Sequence, residues 1–210
     1  MTKTNPLLQF GNVPVSAAML ASCFPELDAP NKKVQALEKN GDIIRLKRDL
    51  YVVSKDISGK EICMPLCANH LYGPSYVSLR WALRWYGMIP ERVFRMTSMT
   101  TRHARMFETP LGVFDYHRVH GNYMGIGIKM HQENDITFLI ATPEKALCDL
   151  ILLDKHVPNQ SVKRLAQYLE EDIRFDMDAL ADFDVKIIEE CVKFGGKKSI
   201  FNNLIKILKQ

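Results

Sequence analysis

The chain has 210 residues, of which 47% are hydrophobic and 25% are charged, the balance of an ordinary globular protein. This composition excludes a disordered or collagen-like chain, and the length allows a small domain followed by a larger one. The longest unbroken apolar run, residues 62–68, is far shorter than the ~18 residues that suggest a membrane-spanning helix, so we expect no membrane partner.

Five cysteines, an odd number with apolar neighbours, predict reduced, buried thiols rather than a disulfide framework. The segment Leu20-Ala21-Ser22-Cys23 has the shape of a lipoprotein cleavage site. The residues before it are interrupted by two prolines and by polar side chains, so they lack the continuous apolar segment of a signal peptide. We therefore expect a cytoplasmic protein.

The net charge of +4 is unevenly distributed along the chain. Residues 1–60 carry +3, residues 61–130 carry +4 and residues 131–210 carry −3. This asymmetry predicts a polyanionic partner for the basic part and is compatible with a basic partner for the acidic end. Between Lys60 and Lys129 every basic residue is an arginine, which suits specific anion contacts, although ordinary variation in composition explains the bias equally well.

The first sixty residues have the outline of a winged helix-turn-helix. A short helix is predicted over residues 15–24, and a second runs to Asn40, with Asp28 as its cap and Gly41 as its terminator. Residues 43–53 follow as two β-rich runs around a charged centre, which predicts a hairpin. We assign residues 1–58 to a winged helix-turn-helix DNA-binding domain.

The second helix has the two faces that a DNA-reading helix needs. Val34 and Leu37 share one face, and polar side chains occupy the opposite arc. Amide side chains read adenine edges and cationic ones meet phosphates, but a plain amphipathic surface helix has the same pattern. With the basic hairpin, the predicted DNA-binding residues are Asn31, Lys32, Gln35, Lys39, Arg45, Lys47 and Arg48.

The remaining residues, 59–210, predict an α+β domain with a mainly antiparallel sheet flanked by helices. The boundary lies in the turn-forming segment 54–60. Helices are predicted over 64–72 and 75–86, and later over 142–153, 159–171, 184–194 and 199–209. Between them, short runs bounded by turn residues such as Asn134 predict strands at 93–101, 105–109, 113–119, 125–130 and 136–141.

Candidate chemistry in this region is sparse. Cys63, Cys67 and His70 have helical spacing that suits metal ligands, but they lack a fourth ligand and lie among apolar residues, which favours a core helix face. We therefore predict no metal and no cofactor.

One acidic group invites comparison with a metal-dependent nuclease. Glu144, Lys145 and Asp149 lie close on one predicted helix, and Asp115 would add a further carboxylate. A simpler interpretation is stronger: Glu144 completes a capping box, and Lys145 and Asp149 form an i, i+4 ion pair. We accordingly predict no catalytic residues and no enzymatic activity.

An ordered string of motifs resembles the AbiEi family, the antitoxins of type IV abortive-infection toxin-antitoxin systems. The motifs are residues 71–79 (LYGPSYVSL), 82–83 with 86–91 (YGMIPE), 97–101 (TSMTT), 107–112 (FETPLG) and 141–147 (ATPEKAL). The resemblance runs from about Gly41 to Leu153. It departs from the family at the wing, where Asp49 replaces a glycine before Leu50-Tyr51 and adds a negative charge facing DNA.

The resemblance implies a transcriptional repressor that binds its own promoter and counters a nucleotidyltransferase-like toxin, directly or indirectly. Two alternatives stay open: a DNA-directed metal-dependent nuclease with a winged-helix targeting domain, and a stand-alone transcriptional regulator. The arginine bias suggests an antitoxin or accessory nucleic-acid surface formed by Arg80, Arg84, Arg102 and Arg105.

Overall fold

The computed structural model describes residues 5–133, 135–159 and 161–209. The turn predicted at Asn134 and the position of Gln160 in the helix predicted from residue 159 lie outside these ranges. Within the described ranges, no helix has both the length and the apolar character needed to cross a bilayer.

The N-terminal unit, residues 5–53, combines two helices with a three-stranded antiparallel sheet. Its elements are a 3-10 helix at Pro6–Phe10, β1 (Val15–Ser16), α1 (Ala17–Ala21), α2 (Pro30–Asn40), β2 (Ile43–Lys47) and β3 (Leu50–Val53). β3 lies between β1 and β2. The predicted second helix and hairpin are confirmed. The first helix is shorter than predicted, because Val15 and Ser16 pair with β3, and Asp28 is not the cap of α2, since Ala29 holds that position.

A small hydrophobic core holds this unit together. Val34 and Leu37 of α2 pack there with Leu20 of α1 and with Ile43 and Val53 of the hairpin. Gly41 adopts the left-handed conformation, with φ +80°, that ends α2 and turns the chain into β2. At the hairpin turn Asp49 is also left-handed, with φ +62°, a conformation that Asp tolerates better than most side chains but that glycine adopts freely.

The rest of the chain forms a six-stranded sheet with helices on both faces. Its elements are α3 (Lys55–Ser58), α4 (Met64–Leu71), β4 (Ser75–Val77), α5 (Leu79–Trp85), β5 (Met96–Thr100), β6 (Arg105–Thr109), β7 (Gly112–Arg118), α6 (Gly121–Met124), β8 (Ile128–Glu133), β9 (Ile136–Ala141), α7 (Pro143–Leu153), α8 (Val162–Gln167), a π-helical turn at Tyr168–Asp172, a 3-10 helix at Met177–Asp182, α9 (Val185–Phe194) and α10 (Lys198–Leu208). The α+β class is therefore confirmed.

The sheet is mixed, and most of its strand pairs are antiparallel, as predicted. Its strand order is β6-β7-β5-β4-β9-β8. The β4–β5, β6–β7 and β8–β9 pairs are antiparallel, whereas β4–β9 and β5–β7 are parallel. The two parallel pairs arise because β4 and β5 each pair with a strand that the chain reaches only after further secondary structure.

The single helix predicted over residues 75–86 is wrong. Residues 75–77 form β4, and the helix α5 begins only at Leu79. All three residues of β4 are buried although Ser75 is polar, so the segment lacks the alternation of apolar and polar residues that identifies a half-exposed strand. The strand supplies the centre of the sheet, where it pairs with both β5 and β9.

Helices cover both faces of the sheet. On one face, the hydroxyl of Tyr116 in β7 donates to the carbonyl of Ala68 in α4, at 2.6 Å. On the other face, Tyr76 of β4 donates to Asp149 of α7. The strand register aligns Tyr116 with Ser98 and Ser98 with Val77, so Tyr76, one residue earlier, points to the opposite side.

The N-terminal unit and the large core are in direct contact. Leu46 and Val52 of the hairpin belong to the large core rather than the small one. Lys47 adds a polar link, because its ammonium group donates to the carbonyl of Leu71 at the end of α4. The division of the chain into domains at residue 58 stays a prediction, and these contacts place the hairpin at the junction of the two regions.

Gly127, in the loop before β8, lies where this loop packs closely against α7. Its φ is +56°, and an added Cβ would lie 2.8 Å from the Cβ of Lys145 and 2.9 Å from Ile187. We expect Gly127→Ala to lower the free energy of unfolding by about 2 kcal/mol or more, because both the backbone conformation and the space oppose a side chain. Urea denaturation measures the change. Gly121→Ala is the matched control, since no heavy atom lies within 4 Å of its added Cβ, and equal losses for both variants would contradict this account.

Candidate functional site

The exposed face of α2 carries the side chains predicted to read DNA. Asn31, Lys32, Gln35 and Lys39 are all exposed, while Val34 and Leu37 are buried beneath them. The predicted separation of this helix into an apolar and a polar face is therefore confirmed. Lys33 lies at the edge of the polar face, where its ammonium group is 5.6 Å from the ring centre of Phe24.

Arg45 joins the hairpin to α2 rather than standing free. Its guanidinium group donates to Glu38 at 2.9 Å and to the hydroxyl of Tyr51 at 3.0 Å. It also lies 5.5 Å from the ring centre of Tyr51, and these interactions raise the pKa of Arg45, the hydrogen bond to Tyr51 having the largest effect. Arg45 thus fixes the orientation of the hairpin on the helix, and about half of its side chain remains exposed.

Lys47 lies at the junction of the two regions, close to two arginines of the sheet. Burial is the main cause of a lowered pKa at Lys47, and the positive charges of Arg102 and Arg105 lower it further. Arg102 follows β5, and Arg105 begins β6, the edge strand that contacts β2. Lys47 is therefore a neighbour of Arg102 and Arg105 in the fold, although more than fifty residues separate it from them in the sequence.

We call Lys47, Arg102 and Arg105, together with Arg48, which directly follows Lys47 at the hairpin turn, the basic strip. The side chain of Arg48 is 96% exposed at the hairpin turn. Arg102 lies 5.0 Å from the ring centre of Tyr72, and Arg105 lies 4.7 Å from that of Phe107. Because these rings support the guanidinium groups without neutralising them, the strip presents positive charge to solvent.

Arg80 and Arg84, predicted to share a surface with Arg102 and Arg105, lie elsewhere. Both are on α5. Arg84 is exposed and donates to the carbonyl of Ile89 at 3.3 Å, which holds the chain after the helix. Arg80 faces a groove at the start of β5. The four arginines therefore belong to at least two separate surfaces.

A buried polar cluster lies between α7 and the centre of the sheet. The side chains of Lys145 and Asp149 are 0% exposed, and the Lys145 Nζ lies 3.3 Å from the Asp149 Oδ1. Tyr76 and Ser78 donate to the other carboxylate oxygen at 3.0 and 2.6 Å. Lys145 also donates to the carbonyl of Tyr123 at 2.9 Å and lies 3.0 Å from the centre of the Tyr123 ring.

In this cluster, burial and the neighbouring polar groups have opposite effects on the pKa of Asp149. Burial raises the pKa of Asp149, whereas the Lys145 ammonium and the hydroxyls of Ser78 and Tyr76 oppose the rise. Burial and the adjacent carboxylate also raise the pKa of the Tyr76 phenol, so this group stays protonated and acts as a donor. The predicted i, i+4 pair is confirmed, but it lies in the core rather than on a helix surface.

The acidic residues considered for metal-dependent hydrolysis do not lie together in one site. Glu144 does not complete a capping box; its carboxylate accepts from the backbone N–H of Asp184 at 3.0 Å, beside the start of α9, and Thr142 alone caps α7. Asp115 lies on β7, separated by β5 from the strand that Asp149 contacts, and it pairs with His117 at 3.4 Å. Because the Lys145–Asp149 pair is fully enclosed, a substrate has no route to it in this conformation.

Cys67 and His70, considered as metal ligands on α4, differ in their exposure to solvent. Cys67 is buried, and burial raises its pKa to about 12, whereas His70 is exposed. Over the part of the chain that the structure describes, no group of three or more His, Cys, Asp or Glu side chains is arranged to hold a metal ion.

The partners of the buried pair were not predicted from the sequence. Tyr76, Ser78 and Tyr123 are distant in sequence from Lys145 and Asp149 and meet them only in the folded chain. In addition, the helix wrongly predicted over residues 75–86 does not place Tyr76 and Ser78 on one face, as the strand does. The resembling motifs did carry a signal, since residues 71–79 contain both hydroxyls and residues 141–147 contain the lysine.

Comparison with known proteins identifies no relative: no protein-family model matches the chain, and no curated protein is significantly similar to it. The resemblance to AbiEi antitoxins therefore depends on the motifs alone.

The buried pair yields a prediction about stability. Replacing one partner, as in Lys145→Met or Asp149→Leu, leaves the other charge buried without its counterion, and we expect each to reduce the free energy of unfolding by about 3–5 kcal/mol. The double variant should lose clearly less than the sum of the two, because it contains neither charge. Chemical denaturation of the three variants measures this coupling, and strictly additive losses would show that the ion pair is not the source of the effect.

Proposed function

We propose that the chain is a DNA-binding repressor and antitoxin of the AbiEi type, without enzymatic activity of its own. In this proposal the N-terminal unit is a winged helix, α2 is its recognition helix, and the β2–β3 hairpin is its wing. The observation that carries the proposal is the basic strip, where Lys47 of the wing lies near Arg102 and Arg105 of the larger sheet and is followed directly by the exposed Arg48.

The strip has the properties of a phosphate-binding surface. Phosphate contacts come mostly from arginine and lysine and fix the orientation of a protein on the duplex. Arg102 and Arg105 are positioned by Tyr72 and Phe107, so less conformational entropy is lost when they bind. No carboxylate lies within 4 Å of either guanidinium group over the described residues, which leaves both able to bind an external anion.

The α2 helix supports the same function through its side-chain chemistry. Asn31 and Gln35 carry amides, which pair with adenine edges in the major groove, while Lys32 and Lys39 lie where phosphates flank such a helix. The helix is 11 residues long and is anchored through Val34 and Leu37, so its polar face is presented on a rigid support.

The antitoxin part of the proposal depends on the motif resemblance, and the buried cluster gives that resemblance a physical basis. Motif 71–79 supplies Tyr76 and Ser78, and motif 141–147 supplies Lys145. Two motifs distant in sequence thus form one structural unit, which is why they would occur together. In this interpretation they maintain the fold and perform no catalysis.

The basic strip leads to a prediction about salt dependence. Arg48→Ala and the double variant Arg102→Ala/Arg105→Ala should each weaken binding to the chain's own promoter, because each removes cations that face phosphates. The slope of log affinity against log salt concentration should fall by about 0.9 for each phosphate that is no longer neutralised. Fluorescence anisotropy over a salt series measures both quantities. These variants are preferable to one at Lys47, whose bond to Leu71 also supports the structure.

The matched control is Lys163→Ala, which removes an exposed positive charge from α8, outside the strip. Gln35→Ala should behave differently from the strip variants, reducing the preference for the promoter over random duplex more than it reduces nonspecific affinity. Unchanged slopes for both strip variants, or equal losses in the control, would contradict the proposed DNA interface.

The antitoxin role is testable in cells with the full chain. We expect wild-type protein to restore growth when the nucleotidyltransferase-like toxin encoded beside it is expressed from an unrelated promoter. The Arg48→Ala/Arg102→Ala/Arg105→Ala variant should restore growth as well, because the toxin gene then lacks the operator that the chain represses. Failure of the wild-type protein to protect would refute the antitoxin role, and protection lost only in the variant would show that the two roles share one surface.

A further inference from the structure

A second arginine-rich site lies at the other end of β5 from the basic strip. It is an open groove of about 620 Å³, which we call the arginine groove, formed by the start of α5, the segment before β5, the middle of the sheet and the end of α7. Three arginines contribute to it: Arg80, Arg92 and Arg95. β5 has five residues and spans roughly 17 Å, so a duplex held on the basic strip need not enter the groove.

Over the described residues, the arginines of the groove have no ion-pair or hydrogen-bond partner in the protein. No carboxylate lies within 4 Å of their guanidinium groups, and they donate no hydrogen bond to another side chain or to the backbone. The two carboxylates that also line the groove each have a partner outside it, although the second oxygen of Glu91 is buried without a hydrogen bond. Glu91 pairs with Arg174 at 3.4 Å, and Asp154 accepts from the Tyr168 hydroxyl and from the backbone N–H of His156.

Apart from Thr97 and His117, the rest of the groove is apolar and suited to a flat ligand. Leu79, Leu150 and Leu153 form its floor. At the rim, the Phe94 ring is 79% exposed, and the guanidinium group of Arg92 lies 5.1 Å from its centre. A planar group can therefore contact aliphatic side chains below and an aromatic or guanidinium face above.

One residue of the groove floor has a strained backbone next to the buried cluster. Leu79 has φ +61°, a left-handed conformation that is unfavourable for a bulky side chain. It directly follows Ser78, whose hydroxyl is bound by Asp149, and Leu150 directly follows Asp149. The same ion-paired cluster therefore positions both sides of the floor, and such strain is concentrated at ligand-binding sites.

We propose that the arginine groove binds a free nucleotide. The phosphates would lie against Arg80, Arg92 and Arg95, and the nucleobase would lie between the leucine floor and Phe94. Unpaired guanidinium groups match phosphate oxygens, the apolar floor and exposed ring match a base, and the volume is that of an ordinary small-molecule site. This site is independent of the DNA-binding proposal.

Isothermal titration calorimetry on the full chain tests the proposal with four probes: ATP, GTP, inorganic triphosphate and adenosine. We expect at least one of the two nucleotides to bind saturably and at least tenfold more tightly than inorganic triphosphate or adenosine, because only a nucleotide fills both halves of the groove. Arg92→Ala/Arg95→Ala should weaken nucleotide binding at least tenfold. Phe94→Ala should weaken nucleotide binding but not triphosphate binding.

The control variant is Arg118→Ala, an exposed arginine at the end of β7 that does not line the groove, and it should bind the nucleotide like wild type. Thermal melting of each variant checks that folding is preserved; all three substituted groove residues are exposed, so little change is expected. Absence of saturable binding by both nucleotides would overturn the proposal, as would triphosphate binding as tightly as either. Duplex affinity reduced by Arg92→Ala/Arg95→Ala without nucleotide binding would assign the groove to DNA and would also overturn it.

Discussion

The structure depends on one enclosed ion pair, between Lys145 and Asp149. Neither charge reaches solvent, so both must be satisfied internally, and the residues that do so come from distant parts of the chain. Tyr76 and Ser78 bind the carboxylate from the centre of the sheet, and the Tyr123 carbonyl binds the ammonium. The pair therefore fixes how α7 packs on the sheet, because it ties α7 to the central strand and to the residue that follows it. Apolar contacts supply most of the stability, but they would tolerate several docking arrangements, whereas the ion pair and its hydrogen bonds form in one.

Much of the architecture was predictable because local patterns and the fold agree. The second helix ends where Gly41 ends it, and the predicted strands at 105–109 and 136–141 match β6 and β9. The sequence failed where local and global preferences diverge. Residues 75–77 form a fully buried central strand, and a strand buried on both faces loses the alternation by which strands are recognised.

The types of side chain at the candidate site could be predicted from the sequence, but which of them lie together could not. The exposed face of α2 follows from helical periodicity alone, since it is a local property. The adjacency of Lys47 to Arg102 and Arg105 depends on how β2 meets β6, which no local pattern encodes. For the same reason the arginine-rich segment looked like one surface, yet Arg95 precedes β5 and Arg102 follows it, so the two lie at opposite ends of that strand. The bias in composition suggested an anion-binding surface, while the sheet topology separates the arginines into two groups.

The hairpin turn has a consequence for how this chain would change under selection. Asp49 occupies a left-handed position that glycine adopts without strain, and its carboxylate lies 3.6 Å from the Nε of Arg48. It therefore weakens the turn and offsets a charge of the basic strip at the same time. Aspartate and glycine codons differ by a single base, so one point mutation would relieve both effects. In the proposed role, Asp49 would lower the affinity for DNA relative to a glycine at this turn.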